Sequence, residues 1–118
     1  MKIILLVEKN HQLLVLEDAW GEYHFPKGEK LEKETINQSI ERVLMEETGL
    51  NEKKVLQEVP SAKKDDLKIF VIQAHDPEDL MAKGYKGYGW AEPSEIFGYP
   101  IKEDLREVLD LYLKFRLS

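Results

Sequence analysis

Two adjacent acids, Glu46 and Glu47, close a helical stretch of this chain, "ERVLMEETGL". At about 100° per residue, with Ile36 at zero, Ile40 falls near ~40°, Leu44 near ~80° and Val43 near ~−20°. These four make an apolar face. Glu47 falls near ~20°, in the middle of it, and Glu46 near ~−80°, on its edge. Arg42 lies further round the same flank, near ~−120°. An ionised carboxylate inside an apolar stripe is costly unless it is paired or metal-bound. Three readings follow. Glu47 snorkels to water at the helix end, it pairs with a lysine from a neighbouring sheet, or the two acids edge a divalent-cation site. Hard cations such as Mg²⁺ take oxygen ligands, often one or two carboxylates plus substrate phosphates. Just upstream, Pro26-Lys27-Gly28 forms a shaped loop. Proline fixes φ, glycine permits close backbone approach, and the amides leading into a helix favour anions.

The elements that must position these residues are legible from patterning. The helix is expected from about Lys33 to Thr48, with Thr35 as its cap and Gly49 as a left-handed terminator. The N-terminus reads as a hairpin, with strands Ile3–Val7 and Leu13–Leu16 around a turn at Glu8 to His11. "GEYHFPKG" mixes a short extended piece with the loop. Strands are expected near Lys54–Val59 and Leu67–Ala74, joined by the polar "SAKKDD". A longer irregular connection runs from Asp76 to Gly87, then a short strand to Ala91 and a helical turn started by Pro93-Ser94. The last segment is an amphipathic helix whose Leu105, Val108, Leu109, Tyr112 and Phe115 form a core stripe. Helices are few and do not alternate with strands. The expectation is one α+β domain over residues 1–118, a mixed sheet packed between helices.

Composition narrows the function. The chain has 118 residues, 34% of them charged, and a formal net charge of −6. Broad adhesion to nucleic acid or to an anionic membrane is therefore not expected. A small anionic substrate is compatible if a divalent cation or local lysines offset the charge. There is no cysteine, which excludes thiolate catalysis and thiolate zinc sites. That fits a reducing compartment, and a cytoplasmic location is expected. The apolar run Ile3–Val7 is too short to span a membrane. His11, His24 and His75 are scattered without metal-ligand spacing and read as structural or solvated.

The stretch from Gly28 to Leu50 resembles the Nudix box, G-x5-E-x7-R-E-U-x-E-E-x-G-U, where U is a bulky aliphatic. Gly28, Glu34, Arg42, Leu44, Glu46, Glu47, Gly49 and Leu50 match, eight of the nine specified positions over 23 residues. "GWAEPSEI" is similar to the tryptophan strand and short acidic helix that such chains often carry. The resemblance implies a Nudix-like α/β/α sandwich around a mixed sheet. It implies Mg²⁺- or Mn²⁺-dependent hydrolysis of nucleoside diphosphate derivatives, with water attacking phosphorus and metal ions offsetting charge. Glu46, Glu47 and the carbonyl of Gly28 would be metal ligands. Arg42 and Glu34 would orient the site. Dimers are common in that family, so a homodimer is among the expected states.

The sequence departs from the pattern at Val43, where the box has a glutamate that ligates metal and helps activate water. Valine supplies neither ligand nor base, and Glu41 points about 160° away from it. The acid that often precedes the tryptophan strand is also missing from "GYKGYGW". Asp65 or Asp66 is the available substitute. A reduced ligand set implies weaker metal binding and low or absent turnover. The alternative reading is therefore a catalytically weak or inactive Nudix domain that binds a nucleotide as a sensor or interaction module. "YHFPKG" resembles the Phe-Pro-Lys-Gly loop of diadenosine polyphosphate hydrolases, which would make Lys27 a phosphate contact. Lys63-Lys64 would reach a longer polyphosphate, or form a solvated charge pair. Tyr85 and Tyr88 would stack on a base, or pack on the sheet.

Overall fold

Strand β1 (Lys2–Lys9) is apolar without a break from Ile3 to Val7, and all five of these side chains are at most 4% exposed. Unbroken apolar runs suit a strand covered on both faces. The computed structural model describes residues 1–61, 66–75, 80–81 and 84–117. In it, β1 runs parallel to β6 (Leu67–His75), from Lys2 opposite Leu67 to Val7 opposite Ile72. The other edge of β1 is shared by two strands. Its first half pairs with β4 (Lys27–Glu29), and its end pairs with β2 (Gln12–Glu17). Asn10 and His11 join β1 to β2 with φ of 50° and 66°, a tight hairpin turn whose twist matches the strands.

The sheet has seven strands in the order β3-β2-β1-β6-β5, with β4 on β1 and β7 on β2. Here β3 is Tyr23–His24, β5 is Asn51–Val59 and β7 is Gly87–Ala91. Helices follow at α1 (Ile36–Thr48), α2 (Pro93–Ile96) and α3 (Glu103–Leu117). The expected α+β class, with a mixed sheet between helices, is the observed architecture. Alternate residues of β1 serve opposite layers, as the strand period of two requires. Ile3, Leu5 and Val7 pack with Ile40, Val43 and Leu44 of α1. Ile4 and Leu6 pack with Leu105, Val108, Leu109 and Tyr112 of α3. Each such side chain contributes roughly 1.5–3 kcal/mol through burial. Among the described residues, no helix is long and apolar enough to cross a membrane.

Three sequence expectations change. The helix begins at Ile36 and not at Lys33, because Thr35 caps it reciprocally with Gln38. Ile36 is then a first-turn residue, 36% exposed, and does not join the buried stripe of Ile40, Val43 and Leu44. Lys27 to Glu29 form strand β4 where a loop was expected. Pro26 cannot donate to a ladder, but its carbonyl accepts from Leu5 N, and the chain continues along β1. Lys63, Lys64 and Asp65 lie outside the described residues, as does the side chain of His75.

The far end of α3 is pinned to the sheet by Glu8. The Tyr112 hydroxyl and Arg116 Nη2 both donate to Glu8 Oε2 at 2.6 Å. Burial, then the Glu8 carboxylate, pushes the Tyr112 phenol up to about 12. Tyr112→Phe keeps the packing and removes one donor to a charged acceptor. It is expected to cost roughly 1–2 kcal/mol in urea unfolding, with the denaturant slope unchanged.

Candidate active site

The box residues converge where α1 leans on β4, and they form two linked groups. The first is built on Arg42. Its Nε donates to Glu34 Oε2 at 2.6 Å and its Nη2 to Glu34 Oε1 at 3.0 Å, a forked pair. Nη2 also donates to the carbonyl of Glu29 on β4. Nη1 reaches both oxygens of Glu46, one turn along α1, at 3.2 and 3.3 Å. One guanidinium thus ties the segment before the helix, the helix and the sheet. Glu34 gains further donors in Leu31 N at 2.9 Å and Ser39 Oγ at 3.0 Å. Arg42 above all, then the Leu31 amide, holds the Glu34 carboxyl down at about 2, and Glu34 in turn holds Arg42 above its ordinary range.

The second group is built on Glu47. Its Oε1 accepts from Lys27 N at 3.2 Å and from the Tyr85 hydroxyl at 2.9 Å. Among the described residues, Glu47 makes no ion pair. It is half-buried and turned toward β4 and Tyr85. Tyr85 has its phenol pushed well up by burial, and after that by Glu47. Its hydroxyl therefore stays a donor throughout the neutral range. The Tyr85 ring lies 6.2 Å from that of His24. His24 Nε2 is 2.7 Å from Asp18 Oδ2, and Asp18 Oδ1 accepts from Trp20 N at 2.9 Å and Glu22 N at 3.0 Å. His24 foremost lowers the Asp18 carboxyl.

Gly28 and Val43 meet directly. A Cβ built on Gly28 would lie 2.8 Å from Val43 Cγ2. Val43 is 1% exposed, so it has no room to retreat. The glycine is needed here for the approach of β4 to α1, since its φ is not positive. Where the box would place a carboxylate, this chain packs a methyl group against the strand.

Of the residues singled out in the sequence, Glu34, Arg42 and Glu46 form one network, and Glu47, Tyr85 and the Lys27 amide form the other. The Lys27 side chain is exposed. Tyr88 stands on β7 opposite Leu16, 49% exposed, outside both networks. Asp66 lines a cavity of about 500 Å³ on the α3 side of the sheet, with Ile4, Leu67, Val108 and Leu111. None of the box residues lines that cavity. Asp18 and Trp20 drew no reading in the sequence, and His24, read there as structural or solvated, bonds Asp18. The signal for Asp18 was available, because an aspartate before "AWG" suits a turn closed by its own side chain.

Among the described residues, no three His, Asp or Glu side chains converge as a metal cage. The Gly28 carbonyl, expected as a further ligand, is turned into the ladder with Ile3 of β1, because these register partners lie two residues from the Leu5 N to Pro26 carbonyl bond. Two carboxylates do suit a hard cation that keeps waters and shares phosphate oxygens. Glu47 is the better donor of the two, since Glu46 already faces Arg42.

No family model matches the sequence, and no curated protein matches it. Solved structures do. The chain is similar to the E. coli ORF135 protein, with 19% identity and a TM-score of 0.77 over 98% of this chain and 89% of that one. It is similar to a C. elegans Ap4A hydrolase, with 16% identity and a TM-score of 0.75 over 99% and 96%. It is also similar to the NUDIX domain of Shewanella oneidensis NrtR, solved with ADP ribose, with 13% identity and a TM-score of 0.69 over 99% and 87%. The fold is the Nudix fold. Identities this low carry the fold alone. The stretch from Gly28 to Leu50 that resembles the Nudix box therefore sits on the strand and helix of a matching architecture.

Two measurements test this geometry. Gly28→Ala is expected to destabilise by about 1–3 kcal/mol through overpacking on Val43. In a double-mutant cycle with Val43→Ala, part of that loss should return. Strict additivity would show that the contact is not its source. The lowered Glu34 carboxyl stabilises the fold fully above its ordinary value of 4.5 and progressively less as pH falls toward about 2. The urea midpoint of the wild type should therefore fall more steeply over that window than that of Glu34→Gln.

Proposed function

We propose that this chain is a divalent-cation-dependent hydrolase of nucleoside diphosphate derivatives, with dinucleoside polyphosphates among the candidate substrates. The observation that carries the reading is Glu47. It is an acid held by neutral donors at the junction of α1 and β4, beside a second acid already oriented by Arg42. Glu47 and Glu46 would hold Mg²⁺ or Mn²⁺. Such an ion supplies Lewis-acid polarisation of the phosphoryl oxygens and a more acidic bound water. Arg42 and Glu34 hold Glu46 in place. Tyr85 and the Lys27 amide both bond the same oxygen of Glu47, which would leave the other for the ion. The Lys27 ammonium, exposed on β4, would contact a phosphate oxygen. The similarity to an Ap4A hydrolase and to a NUDIX domain solved with ADP ribose supports a nucleotide ligand.

A second reading rests on Val43. Its burial against Gly28 removes an acid from the box and fills that place with packing. This favours a nucleotide-binding domain with little or no turnover. Incubation with ADP-ribose, diadenosine polyphosphates and nucleoside triphosphates, with Mg²⁺ or Mn²⁺, separates the two. For a hydrolase, Glu47→Gln should lower turnover by roughly 100-fold or more. A silent wild type together with an active Val43→Glu would leave the binding reading alone. Val43→Glu should also melt lower without metal, because it buries an unpaired charge, and recover in Mn²⁺ as the cation pairs it.

A further inference from the structure

We propose that Trp20 is the stacking platform for the base of the nucleotide whose phosphates lie at Glu46 and Glu47. This rests on the nucleotide reading above and adds the residue that selects the base. Trp20 is 86% exposed, the most exposed of the large apolar side chains described. An indole left bare on a floppy loop would need no explanation, but this turn is built. Asp18 Oδ1 accepts from the amides of Trp20 and Glu22, Asp18 N donates to the Glu22 carbonyl, and Gly21 N donates to the Asp18 carbonyl. Gly21 takes the positive φ of 83° that closes the turn. The backbone that carries the indole is therefore fixed before any ligand arrives, which lowers the cost of ordering on binding.

The turn is also coupled to the acids. Asp18 Oδ2 bonds His24, the His24 ring faces Tyr85, and the Tyr85 hydroxyl bonds Glu47. His24 is opposite Leu16 on β2, and Tyr88 is opposite the same residue from β7. Cross-strand partners share a face, so His24, Leu16 and Tyr88 lie in one row. That face is the α1 side of the sheet, because Leu16 belongs to the α1-side core. Trp20 stands in the turn that joins β2 to β3, three residues past Glu17 and three before Tyr23, next to the His24 end of this row in the chain. Its neighbours in the turn are Asp18, Ala19, Gly21 and Glu22, too small or too charged for the apolar centre of a protein interface. One flat, uncharged ring is the occupant that fits, and a nucleobase is such a ring.

The test uses α,β-methylene-ADP, which resists hydrolysis, and its base-free counterpart methylenediphosphonate, titrated calorimetrically in Mg²⁺. Wild type should bind the nucleotide more tightly than the diphosphonate. Trp20→Ala should weaken the nucleotide roughly 5- to 100-fold while leaving the diphosphonate and the melting temperature unchanged. Trp20→Phe should keep most of the affinity. Equal nucleotide binding by wild type and Trp20→Ala overturns the proposal while the nucleotide reading survives. If wild type binds neither probe, the nucleotide reading fails, and the role of Trp20 fails with it. A change of oligomeric state in Trp20→Ala would place the indole against a second copy of the chain and also overturn the proposal.

Discussion

Everything in this molecule is referred to one strand whose central residues, Ile3 to Val7, are closed to water on both faces. β1 is buried on both faces and shares its edges with β6, β4 and β2. A strand covered on both sides has no freedom of register, because a slip by one residue would exchange its two buried sets. That rigidity fixes β4 alongside β1, and β4 carries Lys27 and Gly28. It also fixes the floor on which α1 lies. The site is the seam between these two supports, and its precision comes from the strand beneath it.

The seam is closed in two chemically different ways. Midway along α1, Arg42 binds Glu34, Glu46 and the Glu29 carbonyl, so charge and hydrogen bonds hold helix to strand. Opposite, Val43 closes on Gly28 by contact alone. A carboxylate at position 43 would leave the seam dependent on a cation for neutrality. A valine makes it self-sufficient. Stability and metal affinity therefore pull on the same residue in opposite directions, and this chain has resolved the conflict toward packing. What is left for chemistry is Glu47, oriented by an amide and a phenol, neither of which neutralises it.

Much of this was legible in the chain. The periodicity of "INQSIERVLMEETG" gives a helix with Ile40, Val43 and Leu44 inward, and Thr35 and Gly49 mark its ends. The resemblance to the box implies that Glu34 and Arg42 act together, and one helical turn between Arg42 and Glu46 aligns those two. The unbroken apolar run of Ile3–Val7 requires a strand covered on both faces. These features are local, and local sequence specifies them.

Other features depend on segments far apart in sequence. Tyr85 reached Glu47 across 38 residues, and its hydroxyl became a positioning donor where the sequence left both stacking on a base and packing on the sheet open. Lys27 to Glu29 became a strand only because β1 offered an unpaired edge there. The role of Gly28 was invisible until Val43 stood against it. Trp20 gave no signal at all, because exposure is a property of the folded surface. The sequence by itself determined the elements, their buried faces and the acids of the box. Tertiary structure decided which donors meet those acids, since hydrogen bonds between distant segments depend on how the sheet brings their backbones together.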